Sequence, residues 1–183
     1  MYDSSLIDRV LLSPAQISGY QRLCIVSGYA DPDMVSLHLG ERLSGREVHV
    51  KLLIGMFPTL AWQDKQEYDW LRYRIRLRRF RDLMRGSFGV YGSTFQCRYV
   101  VEPPQVHAKV YVWLDEDAVP VKAFVGSPNY TQAGFVESRQ GEVVTSDDYR
   151  ESCYDYFVEH WGRAISCDAP DIERRLYDLR NRQ

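Results

Sequence analysis

His107 and Lys109 stand two residues apart in the run Val106-His-Ala-Lys-Val-Tyr-Val-Trp113. The run alternates in the manner of a strand, and a strand turns both side chains to one face. Gly126-Ser127-Pro128-Asn129 follows a second apolar run, Val121 to Val125, where the chain must turn, and Glu142 opens a third, Glu-Val-Val-Thr. An imidazole, a fixed positive charge, hydroxyl and amide donors and a carboxylate are the groups needed to attack a phosphodiester without a metal ion. The set reads as a phosphoryl-transfer site.

None of these residues is informative alone. A His and a Lys two apart on a strand occur often by chance, and Ser127 and Asn129 are ordinary turn residues. Together at this spacing they outweigh the reading as a half-exposed strand and a turn. A Lys on an apolar strand is costly to bury unless an anion meets it. Glu142 is preferred to Glu137 because it opens a strand, whereas Glu137 sits in the loop-like Val-Glu-Ser-Arg-Gln-Gly. A carboxylate there would fix the tautomer of His107. His49 and Lys51 repeat the two-residue spacing but lack the downstream Gly-Ser-x-Asn, so a structural or surface role is expected for them. His38 and His160 lie on helix candidates with no partner at metal-ligand spacing, and Asp115-Glu-Asp117 reads as a solvated turn. No metal site and no cofactor are expected.

The elements that must position this set alternate along the chain. Leu23 to Tyr29 reads as a buried strand ending in a turn at Gly28, Asp33 to Leu43 as a helix with Asp33 at its N-cap, and Val48 to Gly55 as a second strand. This β-α-β order favours parallel pairing with a right-handed crossover. Phe95–Val101 and Val106–Trp113 are further strands separated by Pro103-Pro104, and Asp147–Trp161 is an amphipathic helix with Tyr154, Phe157, Val158 and Trp161 facing inward. Asp168-Ala-Pro-Asp links to a last charged helix, Ile172–Arg180. The fold class is α/β.

Trp62 to Arg85 is the longest helical candidate, with Trp70, Tyr73, Leu77, Phe80 and Met84 forming one apolar stripe. It also carries Arg72, Arg74, Arg76, Arg78, Arg79 and Arg81. These could line a groove for a phosphate backbone or form a wet face paired with Glu67, Asp69 and Asp82. Beside a phosphodiesterase site, the nucleic-acid reading stands level with the other.

Bulk composition sets the frame. The 183 residues suit one domain, and 45% hydrophobic with 26% charged residues is ordinary for a soluble globular protein. A net charge of −2 advertises no polyanion, so attraction to one must come from local clustering. Cys24, Cys97, Cys153 and Cys167 form no Cys-x-x-Cys pair and are expected reduced, as in a cytoplasmic protein. No secretion signal or membrane span is visible.

The order His107-x-Lys109, Gly126-Ser127-x-Asn129, Glu142 resembles the signature of the phospholipase D (PLD) superfamily. The match covers roughly the second half of the chain with specific motifs, and the first half agrees in pattern. The resemblance implies an α/β sandwich, a mixed sheet flanked by helices. It implies that His107 attacks phosphorus, that Lys109, Ser127 and Asn129 clamp the phosphate, and that Glu142 braces His107. One departure matters: the full motif has an Asp five residues after the Lys, and here that position is Leu114. Its loss, the single motif and the arginine-rich helix resemble the nuclease branch, including the catalytic domain of metal-independent restriction endonucleases of the NgoFVII type. That branch implies DNA as substrate, a homodimer with a composite site, and a separate DNA-recognition domain or subunit beside this catalytic domain. A phospholipid phosphodiesterase or transferase would be expected to carry two motifs and a membrane-facing apolar stretch. A non-catalytic nucleic-acid-binding module using the arginine helix is the alternative from another class.

Overall fold

The chain begins its described path with a short helix, α1 (Leu6–Val10), and then enters strand β1 (Arg22–Ser27), buried from its second residue onward. The computed structural model describes residues 6–11, 16, 19–43, 45–58, 67–86, 92–136, 143–145 and 147–181. After β1 come helix α2 (Pro32–Val35), continued by a π-helical stretch Ser36–Arg42, and strand β2 (His49–Ile54). Asp31, not Asp33, caps α2: its side chain accepts from the backbone N–H groups of Asp33 and Met34. Pro32 follows at the first helical position, where its missing N–H costs nothing. Asp33 is instead drawn into an ion pair with Arg79.

Helix α3 (Glu67–Arg85) leads to strand β3 (Thr94–Tyr99), and β1, β2 and β3 pair in parallel. Strands β4 (Val110–Leu114) and β5 (Pro120–Gly126) form an antiparallel hairpin, with β4 also antiparallel to β1. Helix α4 (Gln132–Phe135) and strand β6 (Val143–Thr145) follow. A 3-10 turn, Asp147–Tyr149, runs into α5 (Arg150–Arg163), and the chain closes with β7 (Ile165–Ser166) and α6 (Pro170–Asn181). The result is a mixed seven-stranded sheet in the order β6-β5-β4-β1-β2-β3-β7. Two-residue β7 is too short to show a period.

Strand alternation divides the core in two. Leu23 and Ile25 of β1 face a layer containing Met34, Leu39, Trp70, Phe80, Ile172 and Leu176, so α2, α3 and α6 cover that side. Cys24 and Val26 face Phe157 and Ala164, so α5 covers the other. This is the α/β sandwich expected from the sequence. On α3, Trp70, Leu77 and Phe80 are buried while Tyr73 and Met84 pack at the margin, as the apolar stripe requires. On α5, Val158 is exposed at 49%, a correction to its expected inward position. On the helical wheel Val158 falls on the far side of Tyr154 from Phe157 and Trp161, at the edge of the stripe. Phe157 is the fully buried residue of that helix, while Tyr154 and Trp161 pack at the margin. Cys24, Cys97, Cys153 and Cys167 are free thiols. Among the described residues no helix is long and apolar enough to cross a membrane.

Candidate active site

Three chain segments meet where β1 and β2 end. Beyond Ser27 the chain passes through Gly28 and Tyr29. Beyond Ile54, Gly55 N donates to Ser27 O at 2.8 Å and Met56 N to Gly28 O at 3.0 Å. The segment before β4 crosses the same end: Val106 N donates to Gly55 O at 3.0 Å. A Cβ on Gly55 would lie 1.8 Å from Val106 O, so only glycine lets this crossing happen. His107 and Lys109 therefore lie on the approach to β4, not inside it, although the ladder already starts at Lys109, whose carbonyl accepts from Gly126 N at 3.2 Å.

The two side chains meet as their spacing suggests. Lys109 Nζ is 3.0 Å from His107 Nε2 and donates to His107 O at 2.8 Å. An ammonium donating to Nε2 requires that nitrogen to carry its lone pair, which places the ring proton on Nδ1. Lys109 is only 9% exposed, and burial holds its ammonium below the ordinary lysine value. Among the described residues no carboxylate forms an ion pair with it. His107, by contrast, is exposed and borders the ring of Tyr29 edge-on, with centroids 6.3 Å apart.

The loop after β5 is tied to the end of β1. Asn129 Oδ1 accepts from Tyr29 N at 3.0 Å, and Tyr130 N donates to Ser27 Oγ at 2.9 Å. The Ser27 hydroxyl in turn donates to Tyr29 O. Ala30 and Tyr130 form a parallel bridge, and Tyr111 OH holds Pro128 O at 2.7 Å from below. Behind the loop, buried His38 shares a 2.8 Å hydrogen bond with Tyr130 OH, and burial pushes its pKa down to about 3. His38 is thus a neutral support under the loop. Because Asn129 Oδ1 serves the backbone, the amide's donor end is directed away from that contact.

Gly28 is the hinge of this arrangement. A Cβ there would lie 2.6 Å from His107 Cδ2, 3.3 Å from His107 Nε2 and 3.3 Å from Asn129 Oδ1. The imidazole and the Asn129 amide thus converge on one small volume with Lys109 at its wall. Ser127 is exposed in the same loop, two residues before Asn129. Glu142 lies outside the described residues; its neighbour Val143 pairs with Gly126, at the end of β5 that carries the loop. Ser27, Gly28, Tyr29 and Gly55 escape sequence reading. Gly28 is visible there as a strand-ending glycine, but nothing local tells that His107 packs over it.

The arginines of α3 divide. Arg79 is bidentate to Asp33, and Arg81 binds Glu173 at 2.8 Å and the carbonyls of Cys167 and Ala169 at 2.7 and 3.3 Å. Arg74 reaches Glu173 at 3.7 Å. These pairs fasten α3 to α2 and α6. The guanidinium of Arg81 holds the Glu173 carboxyl below its usual range, and Arg79 does the same for Asp33. The partners are distant in sequence and differ from the Glu67, Asp69 and Asp82 suggested by spacing along the helix. Arg76 lies over the Tyr73 ring, and Arg72 and Arg78 are exposed.

The family model of the NgoFVII restriction endonuclease N-terminal PLD domain matches residues 4–174. The chain belongs to this family. No curated protein sequence matches it. Membership in a restriction endonuclease PLD family supports a nuclease role at the coarse level, and His107, Lys109 and Asn129 converge within the matched residues. Gly28→Ala tests whether that convergence matters. The added methyl must displace the His107 ring, which is a movable side chain at the surface, so melting temperature should hardly change. Phosphodiesterase turnover should fall about a hundredfold, the order expected from an ångström of misplacement. Unchanged turnover would show that the observed ring position is not the working one.

Proposed function

We propose that this PLD domain cleaves DNA without a divalent metal, through a covalent phosphohistidine on His107. The observation that carries the reading is the nearly buried Lys109 ammonium, 3.0 Å from His107 Nε2 and without a carboxylate partner among the described residues. Such a charge is unfavourable until an anion arrives. A phosphodiester entering above Gly28 supplies that anion, draws Nζ to its oxygens and releases the Nε2 lone pair for attack. Among the described residues no three His, Cys, Asp or Glu side chains are grouped to hold a metal ion. Lys109, Ser127 and Asn129 would neutralise the charge that a metal handles in other nucleases. Glu142 is assigned to Nδ1 of His107, fixing the tautomer.

In the first step the Nε2–P bond forms as the P–O bond to one nucleoside breaks, and the leaving oxygen takes a proton. In the second, water attacks the phosphohistidine, loses a proton, and frees His107. The acid and base of these steps must be a second group of opposite protonation state. The chain has one motif, so we assign that role to His107 of a second copy in a homodimer, with two imidazoles sharing one site. Target selection falls to a separate recognition domain or subunit. Among the arginines of α3, Arg72, Arg76 and Arg78 are assigned to the DNA backbone. Arg74, Arg79 and Arg81, which pair with Glu173 and Asp33, are assigned the upkeep of the helix, and Arg72 and Arg78 are chosen for the backbone because they are exposed.

A plasmid nicking assay in EDTA tests the reaction. Cleavage should persist in chelator, vanish in His107→Ala with DNA binding retained, and weaken together with binding in Lys109→Ala. Loss in chelator with rescue by magnesium would overturn the metal-free mechanism. In the binding arm, Arg72→Ala and Arg78→Ala should each lower the salt slope by about one unit, and an unchanged slope would remove them from the interface. The shared site has its own check. When wild-type subunits exchange with His107→Ala subunits, activity should fall faster than the wild-type fraction; a linear fall with verified exchange would mean each chain works alone.

A further inference from the structure

At the other end of the sheet, where the three parallel strands begin, lies a cavity of about 280 Å³. Its lining includes Arg22 of β1 and both His49 and Lys51 of β2, the pair whose spacing imitates the catalytic motif. The strand register explains why they meet. Arg22 is the direct partner of His49, Cys24 that of Lys51, and Thr94 and Gln96 of β3 continue the two rows. All lie on the face that α5 covers, and adjacent strands are about 4.8 Å apart. Three to five residue steps of β1 separate its two rows from Ser27, so the cavity sits roughly 10–16 Å along the strand from the catalytic cluster.

The electrostatics are unbalanced. Arg22 and Lys51 stand diagonally across the β1–β2 pair, with His49 directly opposite Arg22, and like charges that close repel. No carboxylate is among the described residues that line the cavity. Among the described residues, no ion pair joins Arg22 or Lys51 to an acid; Lys51 has only the Trp161 ring, 5.9 Å away. Glu47 approaches His49 Nε2 at 3.4 Å, and Thr94 Oγ1 bonds His49 Nδ1 at 2.9 Å, which orients the ring. The floor is neutral: burial pushes the Cys24 thiol up to about 12, against the pull of Lys51 and Arg22. Beside the cations, Leu114 and the half-buried ring of Tyr154 add an apolar and aromatic flank.

We propose that this cavity is a second binding site, separate from the catalytic cluster, for a phosphate ester of mononucleotide size. Arg22, His49 and Lys51 receive the phosphate, and the Leu114–Tyr154 flank receives the body of the ligand. The volume is just under the roughly 300–1,000 Å³ of small-molecule sites, which suits one small ester better than a polymer strand. Open α/β sheets usually bind ligands at the carboxyl ends of their strands, so a site at the opposite end is an addition to the catalytic apparatus. The inference stands independently of the proposed reaction.

Backbone amide shifts of the isotope-labelled full chain read both ends of the sheet in one titration. Inorganic phosphate and a nucleoside monophosphate should saturably shift the amides of Arg22, Cys24, His49, Lys51 and Gln96. The double variant Arg22→Gln, Lys51→Gln should weaken the mononucleotide by about tenfold or more, as expected for lost charge-assisted bonds. Any shifts at His107, Lys109 and Asn129 should survive in that variant, which also confirms that it folds. Shifts confined to the catalytic cluster, or no saturable shift from either ligand, would overturn the proposal. So would a response here to a short duplex but not to the mononucleotide, which would assign the cavity to substrate backbone instead.

Discussion

The molecule depends on a tie between the end of β1 and the loop after β5. Asn129 Oδ1 receives Tyr29 N, Ser27 Oγ receives Tyr130 N, and the Ala30–Tyr130 bridge closes the seam. Each bond is worth only about 1 kcal/mol net, but leaving its buried partners unsatisfied costs more. The tie makes the loop part of the sheet. Without it, Asn129 would sit on a mobile turn, and the volume above Gly28 would have no second wall. Glycines at 28 and 55 then allow the His107 segment to cross within contact of both strand ends.

Within that frame Lys109 is the charge on which the proposed reaction rests. Its burial lowers its own proton affinity, and its nearest acceptors are the neighbouring imidazole and carbonyl. A carboxylate partner would stabilise the resting fold but would compete with the phosphate. The helices carry the opposite arrangement. Arg79 and Arg81 find Asp33 and Glu173 and fasten α3 where exact charge balance harms nothing. Among the described residues, the helices thus hold paired cations, while the buried Lys109 beside His107 has no ion-pair partner.

Much of this was legible before the structure, for physical reasons. Short continuous apolar runs expose β1, β2 and the β4–β5 hairpin, with β1 and β4 buried almost throughout, and the apolar stripe of α3 follows Trp70, Leu77 and Phe80. His107 and Lys109 are two apart, so local geometry alone brings them together. What depends on long-range contact was not legible. The partners of Arg79 and Arg81 lie 46 and 92 residues away, and Asp31 is the cap because the helix already starts at Pro32, which leaves Asp33 inside its first turn and paired with Arg79. Gly28 needs His107 above it to be recognised as a site residue. His49 and Lys51 read as structural or surface residues, and Lys51 is exposed; that Arg22 and Gln96 stand beside them depends on strands remote in sequence. Val158 faces solvent because it lies at the edge of the inward stripe, beyond Tyr154 from Phe157 and Trp161.

The central claim is that His107 itself attacks phosphorus, and the stereochemistry at that atom tests it most directly. A duplex with one phosphorothioate of defined configuration at the cleaved bond is hydrolysed in isotopically labelled water, and the product's configuration is read. Attack by His107 followed by attack of water inverts phosphorus twice, so the account predicts net retention. Net inversion would mean that water attacks in a single step, and His107 would be a base or a phosphate ligand but not the nucleophile.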